Sequence, residues 1–152
     1  MERSVWKIKK YNELSASELY SILKVRQEVF IVEQTCYYLD ADGYDVLAVH
    51  IWCETEGSIS AYCRIFDSGI KFTEASLGRV LTHPHYRNRN LGKALVMIAL
   101  SAIETRFTAP GVRISAQDYL VRFYNDFGFQ DTGKKYLEDG IPHTEMYKAA
   151  SS

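Results

Sequence analysis

Arg87-Asn88-Arg89-Asn90-Leu91-Gly92-Lys93 sets three cations and a glycine around the start of an apolar series at helical spacing, Leu91, Leu95, Ile98, Ala102 and Ile103. The first turn of a helix has backbone N–H groups without intrahelical partners, and the macrodipole adds positive charge there. Such a place suits a phosphate or diphosphate. Arg87, Arg89 and Lys93 contribute full charges, and Gly92 lets an anion approach the main chain without meeting a side chain. A nucleotide P-loop would require Gly, four residues, then Gly-Lys-Ser/Thr. Here Arg87 stands at the first Gly and Ala94 replaces the magnesium-binding hydroxyl, which argues against hydrolysis of a magnesium nucleotide.

The same turn resembles the acyl-CoA pyrophosphate loop of the GNAT acyltransferase superfamily, Arg/Gln-x-x-Gly-x-Gly/Ala, with Arg87 first and Gly92 last. Asn90 departs from that pattern. Asn is the non-glycine residue that best tolerates a left-handed backbone, so the nest of N–H groups is expected to survive. Downstream, Phe123-Tyr124-Asn125-Asp126-Phe127-Gly128-Phe129 resembles the family's Phe-Tyr-x-x-x-Gly-Phe helix end. Three further stretches, Arg26 to Gln34, Tyr38 to Gly43 and Leu137 to Met146, are similar to the ElaA-like branch, so the likeness covers most of the chain.

That resemblance implies acetyl-CoA as co-substrate and transfer of its acetyl group to an amine. The carbonyl must be polarised, the amine must lose a proton and the departing thiolate should gain one. By resemblance, the main chain at Val80, Leu81 and Thr82 polarises the carbonyl and pairs with the pantetheine arm. Tyr124 matches the family's general acid, and a phenol with a pKa of about 10 carries its proton at neutral pH. Gln117 and Phe123 are expected against the cofactor, beside Arg87, Asn88, Arg89, Asn90, Leu91, Gly92 and Lys93. Glu33, His50, Glu74 and His143 are the candidate bases, with Glu33 and His50 in segments that match the ElaA-like pattern.

Asp40, Asp42 and Asp45 lie among Tyr37, Tyr38 and Tyr44, and carboxylates with tyrosine faces suit a cationic acceptor. Asp40 and Asp42, with His143, are therefore expected on the acceptor side; a solvated loop is the alternative. An EF-hand would need a third ligand at Tyr44, Gly at Asp45 and Glu at Ile51. His83-Pro84-His85 has no further ligand nearby, so no metal site is expected.

These residues need a scaffold. A chain of 152 residues with 47% hydrophobic and 24% charged residues fits one soluble domain spanning 1–152. Net charge is −1 without a basic run, which speaks against nonspecific nucleic-acid binding. Cys36, Cys53 and Cys63 are odd in number and lack metal-ligand spacing, as suits a reducing cytoplasm. The segment Met1 to Lys10 lacks the apolar stretch of a signal peptide, and no segment is long enough to span a bilayer.

Val5 to Lys9 reads as a first strand. Ser15-Ala16-Ser17-Glu18 is a capping box opening a helix that ends near Phe30 or shortly after, and Glu33 to Asp45 reads as a loop across a cleft. Val46 to Cys53 and Ser58 to Phe66 form a hairpin turning at Glu56-Gly57, followed by a central strand near Leu77 to Thr82. The cofactor helix begins near Lys93. Pro110-Gly111 punctuates, Val112 to Ala116 is a strand, and Tyr119 to Phe127 is a helix capped by Gly128. Short strands with turns at Gly133 and Gly140 finish the chain.

The expected fold is α/β (α+β): a mixed, mostly antiparallel central sheet of about six to seven strands flanked by helices, its middle strands parting for the pantetheine arm. The expected function is N-acetyl transfer by direct attack in a ternary complex with a small-molecule or peptide amine. A non-catalytic acyl-CoA sensor or interaction module is the alternative. A sheet edge near the C-terminal strands leaves room for a homodimer.

Overall fold

The computed structural model describes residues 3–108 and 111–150; Met1 and Pro110, part of two expectations above, lie outside the described residues. Ser4–Lys10 forms β1, and Ser15 then caps α1, Ala16–Arg26. The Glu18 amide donates to Ser15 Oγ at 3.0 Å and the Ser15 amide donates to Glu18 Oε1 at 2.9 Å, a complete capping box. Beyond Arg26 the helix widens into a π-helical stretch, Gln27–Glu33, which ends three residues past Phe30. Wide turns of this kind concentrate at functional sites.

The hairpin consists of β2, Val49–Thr55, and β3, Ser58–Phe66, with Glu56 and Gly57 both at positive φ as a two-residue turn requires. β2 starts three residues later than expected because Asp45–Leu47 winds into a 3₁₀ turn. β4 is Ser76–Thr82, α2 is Leu91–Arg106 and β5 is Gly111–Gln117. The second expected helix is shorter than its apolar pattern suggested. Asp118–Leu120 is a 3₁₀ turn, α3 covers Val121–Asn125, and Gly128 at φ 94° ends it. The tail is a single hairpin of β6, Gln130–Glu138, and β7, Ile141–Ala149; Gly133 marks a register shift inside β6 and Gly140 the turn.

The expected mostly antiparallel arrangement of six to seven strands is present as seven strands in two sheets, β1-β2-β3-β4 and β5-β7-β6, with every pairing inside them antiparallel. They meet at one parallel bridge, Ala75 with Val112, where the Arg113 amide donates to the Ala75 carbonyl at 2.9 Å. Beyond this seam β4 and β5 share no further pairing, and a cleft opens between them. A bulge helps to aim β4: Arg79 and Val80 oppose the single residue Cys63 of β3, and Arg79 sits at φ 51°. On one face α2 packs Leu95, Val96, Ala99 and Ile103 against Cys63, Ile65 and Leu77 of the first sheet and Ile114 and Met146 of the second, forming the main core. On the other face Ile22, Val25, Val29 and Phe30 bury Trp52, Tyr62 and Leu81.

Candidate active site

The turn before α2 has the geometry that its residues imply. Asn88 and Asn90 are both left-handed, at φ 66° and 59°, so Asn90 does what the missing glycine would do. The first bond of α2 runs from the Ala94 amide to the Asn90 carbonyl, and no side chain caps the helix. The amides of Leu91, Gly92 and Lys93 therefore have no acceptor within the helix. Gly92 lies against the cleft, where a Cβ would stand 3.5 Å from Thr82 Oγ1 and 3.8 Å from Phe123 Cζ. The Lys93 side chain is exposed, and the Arg89 guanidinium lies 5.4 Å from the Tyr86 ring centroid.

From this turn a channel of about 500 Å³ runs along Val80, Leu81 and Thr82 of β4, with Arg87, Gly92, Gln117 and Phe123 on its walls. It continues into a second cavity of about 350 Å³ that holds Tyr124, Tyr136 and His143. Phe30, Gln34, Val80, Gln117 and Leu120 line both, so the two are halves of one cleft. Gln117 Nε2 and Gln34 Oε1 stand 3.5 Å apart across it.

Tyr124 is 4% exposed, held edge-on to Phe123 and Phe129 with centroids 5.1 and 5.8 Å away. Burial pushes its phenol well above the ordinary value, so it keeps its proton. His143 lies at the register position facing Gln117 and stacks on Tyr136. Its Nδ1 is 2.7 Å from the Ile141 carbonyl and so carries a hydrogen, and Nε2 faces Glu138 Oε2 at 3.3 Å.

Glu33 lines the channel, but its carboxylate accepts two hydrogen bonds from Arg87, both at 2.6 Å. That contact holds Glu33 below the usual carboxylate range.

Three candidates are displaced from the chemistry. His50 is fully buried: the Asp45 carbonyl accepts from Nε2 at 3.0 Å, so Nδ1 accepts a hydrogen bond from the Tyr62 hydroxyl at 2.7 Å. Glu74 accepts from Arg113 Nε and Nη2 at 3.0 and 2.7 Å, and Arg113 also donates to Glu145, so Glu74 braces the seam beside Ala75. The acidic cluster is engaged by arginines instead. Asp40 accepts from Arg26 and Arg79, Asp42 from Arg64, and Asp45 from both Arg26 and Arg64. The three carboxylates are neutralised by three guanidiniums, which corrects the expectation that Asp40 and Asp42 hold a cationic acceptor. No single segment of sequence announces these arginines, since they come from α1, β3 and β4.

Among the described residues no group of His, Cys, Asp and Glu is placed to hold a metal. No described helix is long and apolar enough to cross a membrane. Cys63 is enclosed in the core, where burial pushes its thiol up and makes it a poor nucleophile.

A cleft between parting strands that runs from an uncapped helix start past a buried tyrosine is the arrangement of a GNAT acyltransferase. The family description "Acetyltransferase (GNAT) domain" matches residues 38–150, and the chain belongs to this family, in its ElaA-like branch. It is 36% identical to protein ElaA of Escherichia coli over 93% of this chain and 94% of that one. The crystal structure of E. coli ElaA superposes with a TM-score of 0.89 at 34% identity, covering 96% and 99% of the two chains. An acyl-CoA N-acyltransferase from Pseudomonas aeruginosa is equally similar, with a TM-score of 0.89 at 35% identity, covering 97% and 100%.

Proposed function

We propose that this protein transfers an acetyl group from acetyl-CoA directly to an amine within a ternary complex. The observation that carries this reading is the continuity of the cleft from the uncapped amides of α2, along bulged β4, to the Tyr124 hydroxyl. Arg87 and the amides of Leu91 to Lys93 hold the diphosphate, with Asn88 and Asn90 shaping the turn and Arg89 adding charge. The pantetheine arm lies along Val80, Leu81 and Thr82, walled by Phe123 and Gln117, and the main chain of β4 polarises the thioester carbonyl.

The amine proton goes to the pair of His143 and Glu138: Nδ1 of His143 is committed to the Ile141 carbonyl, while Nε2 and Glu138 Oε2 stand 3.3 Å apart and hold that proton between them. Tyr124 returns a proton to the departing thiolate. With Cys63 buried, no acyl-enzyme is required.

Release of CoA thiol from acetyl-CoA, measured over a panel of amines and peptide N-termini, tests the reaction. Turnover above background that falls in Tyr124→Phe supports it. Tight acetyl-CoA binding with no thiol release from any acceptor would instead support a cofactor sensor. Thermal stabilisation by magnesium-ATP but not by CoA would overturn both.

A further inference from the structure

The second half of the cleft has a charge pattern that the transfer chemistry does not use. Arg64 is 2% exposed on its wall, and its Nε is a buried donor with no acceptor. Arg79, on the same wall, spends Nε and Nη2 on Asp40. Beside them Lys71 brings a cation that the buried network does not match, because Arg26, Arg64 and Arg79 already balance Asp40, Asp42 and Asp45. The Lys71 ammonium stands 4.0 Å from Asp42 Oδ2, an oxygen already taken by Arg64, and 4.0 Å from the Tyr44 ring centroid. The Lys71 side chain is a third exposed; partial burial pulls its pKa down against the attraction of Asp42, Arg64 and Arg79 repel it and Glu138 adds a second attraction, so this corner of the cleft favours an added anion.

Glu138 and Asp139 at the β6–β7 turn and His143 of β7 line the same cavity, together with Phe30, Phe66 and Phe72. A cavity of about 350 Å³ is at the small end of ligand pockets. From this polarity, and resting on the transfer reaction proposed above, we infer that the acceptor is a small amine bearing a carboxylate, such as an α-amino acid. The carboxylate lies toward Lys71 and Arg64, and the amine lies toward His143 at the mouth of the cofactor channel.

A panel of α-amino acids, each paired with its carboxamide, tests this by thiol release, with phosphoethanolamine and ethanolamine as a phosphate arm. The amide's amine is less basic and so more available to attack, which means that a preference for the acid has to come from recognition. The wild-type protein is expected to use at least one acid about tenfold better in kcat/KM than its amide. Lys71→Gln should bring that ratio close to one, and Lys71→Arg should keep it. Equal or better use of the amides, use of the phosphate compound alone, or a ratio unmoved by Lys71→Gln would overturn the inference. If no amine releases thiol, the transfer reading fails by itself, and equilibrium binding of the same pairs decides this one. Selective binding of an acid that Lys71→Gln abolishes supports it, and equal or absent binding overturns it.

Discussion

Glu33 grips Arg87 by both prongs of its guanidinium, Nη1 to Oε2 and Nη2 to Oε1, each at 2.6 Å. The carboxylate thereby occupies the donors that a diphosphate would use. Both side chains are more than a third exposed, so the pair is worth about 1 kcal/mol at most. Glu33→Gln is therefore expected to tighten CoA binding by up to about fivefold in calorimetric titration. Weaker binding would show that Glu33 orients Arg87 and does not compete for it.

Tyr124→Phe removes a hydroxyl for which no hydrogen bond is found among the described residues, so the fold should tolerate it. As the phenol is raised by burial, the proton transfer is uphill, and kcat should fall by about 10- to 100-fold with KM for acetyl-CoA unchanged. Because the shift is upward, activity lost on the alkaline side below about pH 10 should belong to another group. A pH profile of kcat up to that limit checks both points.

Gly92 tolerates a methyl group in the free protein, yet that methyl projects toward Thr82 and Phe123 at the channel wall. Gly92→Val should raise KM for acetyl-CoA by about tenfold, the equivalent of 1.4 kcal/mol, with little change in Tm. Equal losses in Tm and affinity would mean that the glycine serves the fold.

Asp45 accepts from Arg26 and Arg64, both essentially buried. Asp45→Asn leaves two guanidiniums under-compensated, at a cost of about 3–5 kcal/mol. At about 2–4 °C per kcal/mol, Tm should drop by roughly 6–20 °C in calorimetry.

The same carboxylates set the acid limit of the fold. Burial alone would raise Asp42 and Asp45, but hydrogen bonds from Arg64 and Arg26 outweigh it and hold both below their ordinary values. Depressed carboxylates contribute fully above the unfolded pKa of about 3.9 and lose that contribution as pH falls through the folded values. Thermal melts should show stability level above about pH 5 and dropping steeply below pH 4; a flat profile to pH 2 would contradict the cage.

Local chemistry was the legible part of the chain. The Ser15 capping box, the Glu56-Gly57 turn and the Arg87–Lys93 turn each depend on neighbours within a few residues, and each took the expected form. The acidic cluster misled because its partners are remote: Arg26 stands 14 residues from Asp40, and Arg79 stands 39 away. Residue type and the match to a family segment point to His50, but neither reveals that both ring nitrogens are engaged inside the core. The split of one sheet into two was foreshadowed only as strands that part, since strand sequences do not state where pairing ceases.

The aperture of the cleft is fixed at its closed end. Ala75 and Val112 form the pivot, and the neighbouring Arg113 rivets it by bonding Glu74 on one side and Glu145 on the other. Pulling that rivet would let the jaws sit at a different angle and misplace Tyr124 relative to Val80, even though nothing at Glu74 or Arg113 touches either reactant.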